Sequence, residues 1–434
     1  MTHFIRRLAT LVVLGANISR PAHGQTLAQR IASAPEGRVQ FHYASREAAC
    51  GDGRSYVRIN WSPNSNEFYG SYSSDAGMMP ACIHGPVRIV IEQAARVVVG
   101  LRMFVGPLAP ADGATDLGTV RTRDAADFLL SLAATGEGSV ARDAIMPAML
   151  ADSVNNQTAL LAIARDQTRA RETRRSAISW LGRDAAVASA AQPLAQPLLA
   201  IATDENDNQQ VRQQALRTLA RLEGGSGIPQ LIALAGDPRG GWVAREALSS
   251  IASSGDPRAR NYLRDTVRKA ELPDETLAVA IRSFGQQYAT ATDIQLIRSA
   301  WPKLTGARAQ EAAISAVTEF SGAENARWLL TLAKDQSASV NIRRRALQDA
   351  SRAGAKTADL VGVYDQTTDP QTKDAVISAL SQIGDQAATD KLLAIAKNDE
   401  STTARKRAIS ALSRSTDPRV KRELELLVEK GSIR

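Results

Sequence analysis

The chain has 434 residues, of which 44% are hydrophobic but only 4% aromatic. A core must therefore be assembled from Ala, Leu, Ile and Val, which suits closely packed helices rather than a large β-sandwich. The formal charge of +8 is mild for this length and gives only a small bias toward anionic partners.

The first 24 residues predict a secretory signal. Arg6 and Arg7 precede an apolar stretch from Leu8 to Ile18, and Ala22-His23-Gly24 stands before Gln25. A positive head, a short apolar middle and small residues before the cut are the parts of such a signal. The stretch is shorter than the roughly 20 residues that span a bilayer. Loss of Arg6, Arg7 and Arg20 would leave 8 − 3 = +5. With no later segment apolar enough to cross a membrane, the expected location is periplasmic or secreted. The chain has two cysteines, Cys50 and Cys82, and an even count in an exported protein predicts a disulfide.

Residues 25–106 predict a small β-rich domain. QTLAQRIASAP (25–35) reads as a short helix ended by Pro35. RVQFHYA, SYVRIN, EFYGSYS, VRIVIEQ and RVVVGLRMFVG follow as about five antiparallel strands separated by Gly and Asn clusters. A unit this small has little core, and a Cys50–Cys82 bridge would add roughly 2–4 kcal/mol. The soft-ligand residues gather here: Met78, Met79, Cys82, His84 and His42. They offer an alternative function, an envelope enzyme with a Cys–His nucleophile or a Cu(I)-binding protein. Their spacing fits no strong motif, and the disulfide would consume Cys82. Residues 107–121 (from PLAPADGATDLG) read as a linker.

From residue 122 to the end the chain repeats itself. LLAIARDQTRARETRRSAISWL (160–181), LLAIATDENDNQQVRQQALRTL (198–219) and LLAIAKNDESTTARKRAISALS (392–413) align without a gap. A core of Ala, an apolar residue, two variable residues and another apolar residue begins at Ala144, Ala177, Ala215, Ala247, Ala280, Ala313, Ala346, Val376 and Ala408. The intervals are 33, 38, 32, 33, 33, 33, 30 and 32 residues. An apolar segment at helical spacing lies upstream of each core, with Asp, Gly, Asn, Pro and Ser between. Each unit is thus helix–turn–helix. Ala recurs because helices approach to about 8 Å only over small side chains, and one hairpin cannot bury its apolar stripe without neighbours.

Charge follows the same period. An Asp near the end of the first helix precedes a base by eight residues in Asp166/Arg174, Asp204/Arg212, Asp237/Arg245, Asp335/Arg343 and Asp365/Lys373. A cation at a helix start opposes the helix dipole, so the pairs predict a structural ladder. In it each base would reach the turn carboxylate of its own or an adjacent repeat.

The Ala-centred second helices, Leu-Leu first helices and Asp-to-Arg spacing resemble HEAT repeats. The short period is similar to that of the phycobilisome-lyase type. The resemblance covers roughly residues 122–430 and implies a mainly α fold, a right-handed α-solenoid of about nine hairpins behind the small antiparallel β domain. Residues 260–305 depart most from the pattern, and the ladder is expected to break there.

HEAT-like hydroxylases hold iron through His-Glu pairs. No His-Glu dipeptide occurs here, and no His follows His84. Neither an enzyme activity nor a cofactor is expected of the repeats. RARETRR (169–175), NIRRR (341–345) and ARKR (404–407) could align on one edge, but aromatics are not interleaved for base stacking, so nucleic acid is not the expected partner. The expectation is an exported scaffold that offers a concave solenoid surface to a protein or peptide, with basic edges favouring an acidic one.

Overall fold

The computed structural model describes residues 25–54, 56–62, 65–70, 82–110, 112–184, 194–415 and 417–429. The expected signal and Met78 and Met79 lie outside these residues. The chain divides into two compact units, one up to Asn156 and one from Gln157 onward.

The N-terminal unit begins with α1 (Leu27–Ser33), started by a capping box in which Thr26 and Gln29 exchange hydrogen bonds. The strands are β1 (Gly37–Tyr43), β2 (Ala49–Gly51), β3 (Tyr56–Ser62), β4 (Ser65–Gly70), β5 (Val87–Ala94), β6 (Val97–Val105) and β7 (Thr115–Thr119). They form a four-stranded sheet in the order β6-β5-β1-β7 and a three-stranded sheet β2-β3-β4. Alternation places Val39, Phe41 and Tyr43 of β1 in the core, all fully buried, opposite Ile89 and Ile91 of β5. Two expectations need correction. The sheet is mixed, because β7 pairs parallel to β1. The strand β7 also comes from within residues 107–121, so that segment is not a free linker. TDLGT has neither alternation nor a β-branched run, and its pairing is set by β1 rather than by its own pattern.

The first predicted hairpin also behaves differently from the rest. Its helices α2 (Thr122–Thr135), α3 (Gly138–Asp143) and α4 (Ile145–Met149) belong to the N-terminal unit. Phe128 meets Phe41 edge-on with ring centroids 6.1 Å apart. The Tyr43 hydroxyl donates to the Pro147 carbonyl at 2.7 Å, and burial raises the Tyr43 pKa well above its usual value. Helix and sheet therefore share one core. Cys50 and Cys82 form the expected disulfide, S–S 2.01 Å, beside a bridge pairing Gly51 with Ile83.

The second unit is helical throughout its described residues. Its hairpins are α5 (Gln157–Arg165) with α6 (Arg171–Asp184), α7 (Ala195–Thr203) with α8 (Gln209–Leu219), and α9 (Ile228–Ala235) with α10 (Gly241–Ala252). Then come α11 (Pro257–Lys269) with α12 (Asp274–Tyr288), α13 (Ala291–Ala300) with α14 (Ala307–Glu319), and α15 (Ala323–Lys334) with α16 (Val340–Arg352). The last are α17 (Thr357–Gln366) with α18 (Pro370–Ile383), and α19 (Gln386–Asn398) with α20 (Thr402–Leu412), followed by α21 (Pro418–Glu429). Side chains of Asn208, Asp256, Thr290, Ser339, Asp369, Asp385 and Ser401 cap helix starts. Each second helix packs on the next, from α6 through α8, α10, α12, α14, α16 and α18 to α20. In these helices Ala177, Ala215, Ala247, Ala280, Ala313, Ala346, Val376 and Ala408 are fully buried. Small residues also meet where neighbouring second helices approach, Gly182 against Thr218 and Gly285 against Ala316.

Candidate functional site

The charged positions at repeat junctions hold the stack together, and where a base reaches a turn carboxylate, as Arg174 and Lys373 do, it is that of the adjacent repeat. The turn Asp residues bond within their own turns, and Asp204 also accepts the Gln167 side-chain amide of the preceding hairpin at 2.9 Å. Asp166 accepts the Thr168 backbone N–H at 2.9 Å and its hydroxyl at 2.6 Å. Asp335 does the same with Ser337 at 2.8 and 2.7 Å. Asp204 and Asp237 accept the N–H two residues on, at 3.1 and 2.8 Å. These are Asx turns, closed over two residues at little entropic cost. They hold the Asp166 and Asp335 carboxyls below the usual carboxylate range, with the Thr168 and Ser337 hydroxyl bonds as the largest cause. Asp365 lies within α17 and pairs with Lys391 at 2.6 Å.

The bases turn elsewhere. Arg174 Nε donates to the Ala164 carbonyl at 2.9 Å, and Arg212 Nε to the Ala202 carbonyl at 3.1 Å. Both acceptors lie in the last turn of the preceding helix, where carbonyls lack intrahelical partners and the dipole favours a cation. This resolves the misplaced charge: the base begins one helix but its guanidinium caps the end of another. The rest of the side chain crosses to the following hairpin. Arg174 grips Asp207 bidentately at 2.6 and 2.5 Å, with both side chains at most 4% exposed. Arg212 sits 4.8 Å over the Trp242 ring, Arg245 lies 3.2 Å from Glu275, and Lys373 lies 3.3 Å from Asp399. Arg343 stays within its hairpin, on Gln336 at 3.1 Å.

At α11–α13, where a break is expected, the ladder moves to the first helices. Arg260 and Arg264 of α11 both reach Asp293 of α13, at 2.8 and 2.7 Å. The Thr290 hydroxyl adds a third donor at 2.7 Å. Asp293 is 1% exposed. Burial pushes its pKa up, but the bonds from Arg264, Thr290 and Arg260 outweigh this and bring it to about 2.

Toward the C-terminus the second helices leave a cleft of about 670 Å³ between α18 and α20, reached also by α16 and by Thr389 and Leu392 of α19. Its polar lining includes Gln348, Ser378, Ser381, Gln382, Ser410 and Arg414. Arg407 lies at its edge, held by Asp374.

In the N-terminal unit His42 and His84 share a separate cleft of about 660 Å³ with Ser45, Glu47 and Thr119. His42 Nε2 is 2.8 Å from the Thr119 hydroxyl. His84 Nδ1 is 3.0 Å from the Ala49 carbonyl, to which it donates. Both cysteine sulfurs are in the disulfide, so a thiol nucleophile or thiolate ligand from Cys50 or Cys82 is not available here. Among the described residues no three His, Cys, Asp or Glu converge as a metal set. No described helix is long and apolar enough to cross a membrane.

A stack of helical hairpins joined along a small-residue seam is an α-solenoid. The family model for HEAT repeats matches residues 195–285, 326–413 and 357–430, and this is a HEAT-repeat protein. A search of curated proteins returns no match. Among solved structures, the crystal structure of Kap121p bound to Pho4p is similar at 16% identity and TM-score 0.44. That alignment covers 69% of this chain and 38% of the other, so this chain spans well under half of its length.

Proposed function

We propose that this protein is a non-catalytic scaffold that holds a protein or peptide partner on the layer of second helices. The unbroken run of second-helix contacts from α6 to α20 carries the reading. Such a layer offers one long surface whose register is set by the repeat, suited to an extended partner. The export pattern in residues 1–24 and the Cys50–Cys82 bridge support action in an oxidising compartment outside the cytoplasm.

Site-specific photocrosslinking in the native cell tests both statements. A photoreactive residue at Gln286 of α12, which is exposed on a second helix, is expected to give a discrete adduct. The same residue at Thr331 of α15, exposed on a first helix, is expected to give none. Equal labelling from both positions, or none from either, would refute the scaffold reading. A mature N-terminus other than Gln25 would refute export by this signal.

A further inference from the structure

We infer that the cleft between α18 and α20 binds the carboxylates of an extended acidic peptide; this rests on the scaffold reading and names the partner's chemistry. The first observation is an imbalance of groups. Among its described lining residues are two guanidiniums, several hydroxyls and two side-chain amides, but no carboxylate. The second is that the donors are unspent. Some helical Ser of this array bond back to the carbonyl four residues earlier, whereas others, such as the buried Ser250, do not. Ser249, Ser299 and Ser315 bond back at 3.1, 2.8 and 3.0 Å. The hydroxyls of Ser378, Ser381 and Ser410 make no such bond with any described residue.

Arg414 is likewise exposed and pairs with no described residue, unlike Arg407, whose charge is met by Asp374. The Gln382 side-chain amide lies 3.0 Å from the Ser351 hydroxyl, whose proton is shared with the Gln348 carbonyl at 2.8 Å. Free donors around one unmatched cation, without an acid to answer them, are complementary to oxyanions held close to a peptide backbone. The cleft volume lies in the range of ligand sites. A nucleic acid fits less well, since it calls for several phosphate-facing cations and aromatic platforms, and the described lining has no aromatic residue.

Fluorescence anisotropy with a fluorescein-labelled hexapeptide of alternating glutamate and aspartate tests the assignment on the full-length protein at low salt. Saturable binding is expected. Arg414→Glu is expected to weaken it by about tenfold or more, the worth of a charge-assisted hydrogen bond, while Arg414→Lys retains most of it. Ser410→Leu, which fills the cleft without changing charge, is expected to weaken it as well. Arg239→Glu, the same charge change on a distant turn, is expected to leave it intact. Circular dichroism of each variant checks the fold.

Absence of saturable binding would overturn the inference, as would equal losses in Arg239→Glu and Arg414→Glu. Tighter Arg414-dependent binding of a single-stranded oligonucleotide would also overturn it. If the peptide fails while crosslinks from α12 persist, the cleft assignment falls and the scaffold stands. If crosslinks fail while the peptide binds, the scaffold reading falls instead.

Discussion

Asp293→Asn isolates what the ladder contributes. The carboxylate is 1% exposed, with Arg260 at 2.8 Å and Arg264 at 2.7 Å. Its pKa falls from the ordinary 3.8 to about 2 in the fold. At roughly 1.4 kcal/mol per unit, that drop is worth about 2.5 kcal/mol. A carboxyl depressed in the folded state contributes its full stability above the unfolded pKa, and loses it as pH falls through the folded one. Between pH 4 and pH 2 the wild type should therefore lose this increment. The Asn variant has no charge to titrate. At pH 7 its cost should be larger, about 3–5 kcal/mol, because two guanidiniums are left facing a neutral amide in a buried site. Urea unfolding followed by circular dichroism at pH 7, 5, 3.5 and 2.5 measures the gap between the two proteins. Hydrogen exchange over α11–α14 shows whether it is local, as nearest-neighbour coupling in a repeat array requires. The expected result is a gap that shrinks steadily below pH 4. A gap that is the same at every pH, or smaller than about 0.5 kcal/mol throughout, refutes the assignment of the charge network.

Three further outcomes follow from the same packing. Arg174→Met should destabilise by about 3–5 kcal/mol by stranding Asp207, whereas the double variant Arg174→Met/Asp207→Leu should recover most of the loss; a double variant no better than the single one in thermal melts contradicts a buried pair. Gly285→Ala would place a Cβ 2.7 Å from the Ala316 Cβ, and the overpacking of about 1–3 kcal/mol should exceed the helix-propensity gain of about 1 kcal/mol; a raised melting temperature would show that α12 and α14 separate freely. Reduction of the Cys50–Cys82 bridge, which closes a separation of 32 residues, should cost the N-terminal unit about 3–4 kcal/mol, read as lost exchange protection in β2 and β3; unchanged protection refutes a stabilising role.

The stacking was legible in the sequence because its cause is local and periodic. Two backbones can meet closely only over a small side chain, so every copy carries Ala or Val at one position, and all of these are buried. The ladder was legible in type and in part in partner. Of the two expected reaches, within a repeat or to an adjacent one, Arg174 makes the second, to the turn carboxylate of Asp207, while Arg245 reaches Glu275 inside the next hairpin's second helix. A turn carboxylate that meets a nearby N–H can still take a cation: Asp207 accepts the Asn208 N–H and Asp399 the Ser401 N–H, and they hold Arg174 and Lys373. The period that revealed the helices also places these partners, about one repeat further on. Strand β7 had no such signature. A five-residue parallel edge takes its register from β1, and TDLGT alone reads as a turn.

The same accounting bears on what the protein could bind. Its net charge of +8 invites a picture of a basic surface, but most candidate cations are engaged. Arg171 and Arg175 share Glu172, Arg345 and Arg352 share Asp349, and Arg407 takes Asp374. Asp349 is buried, but the pairs on Glu172 and Asp374 are exposed and add little stability, about 0–1 kcal/mol each. They do neutralise the field that a polyanion would feel. The basic runs at 169–175, 341–345 and 404–407 are therefore weaker attractors than their letters imply. On that view the cleft between α18 and α20 is distinguished by its lining, where Arg414 meets no carboxylate.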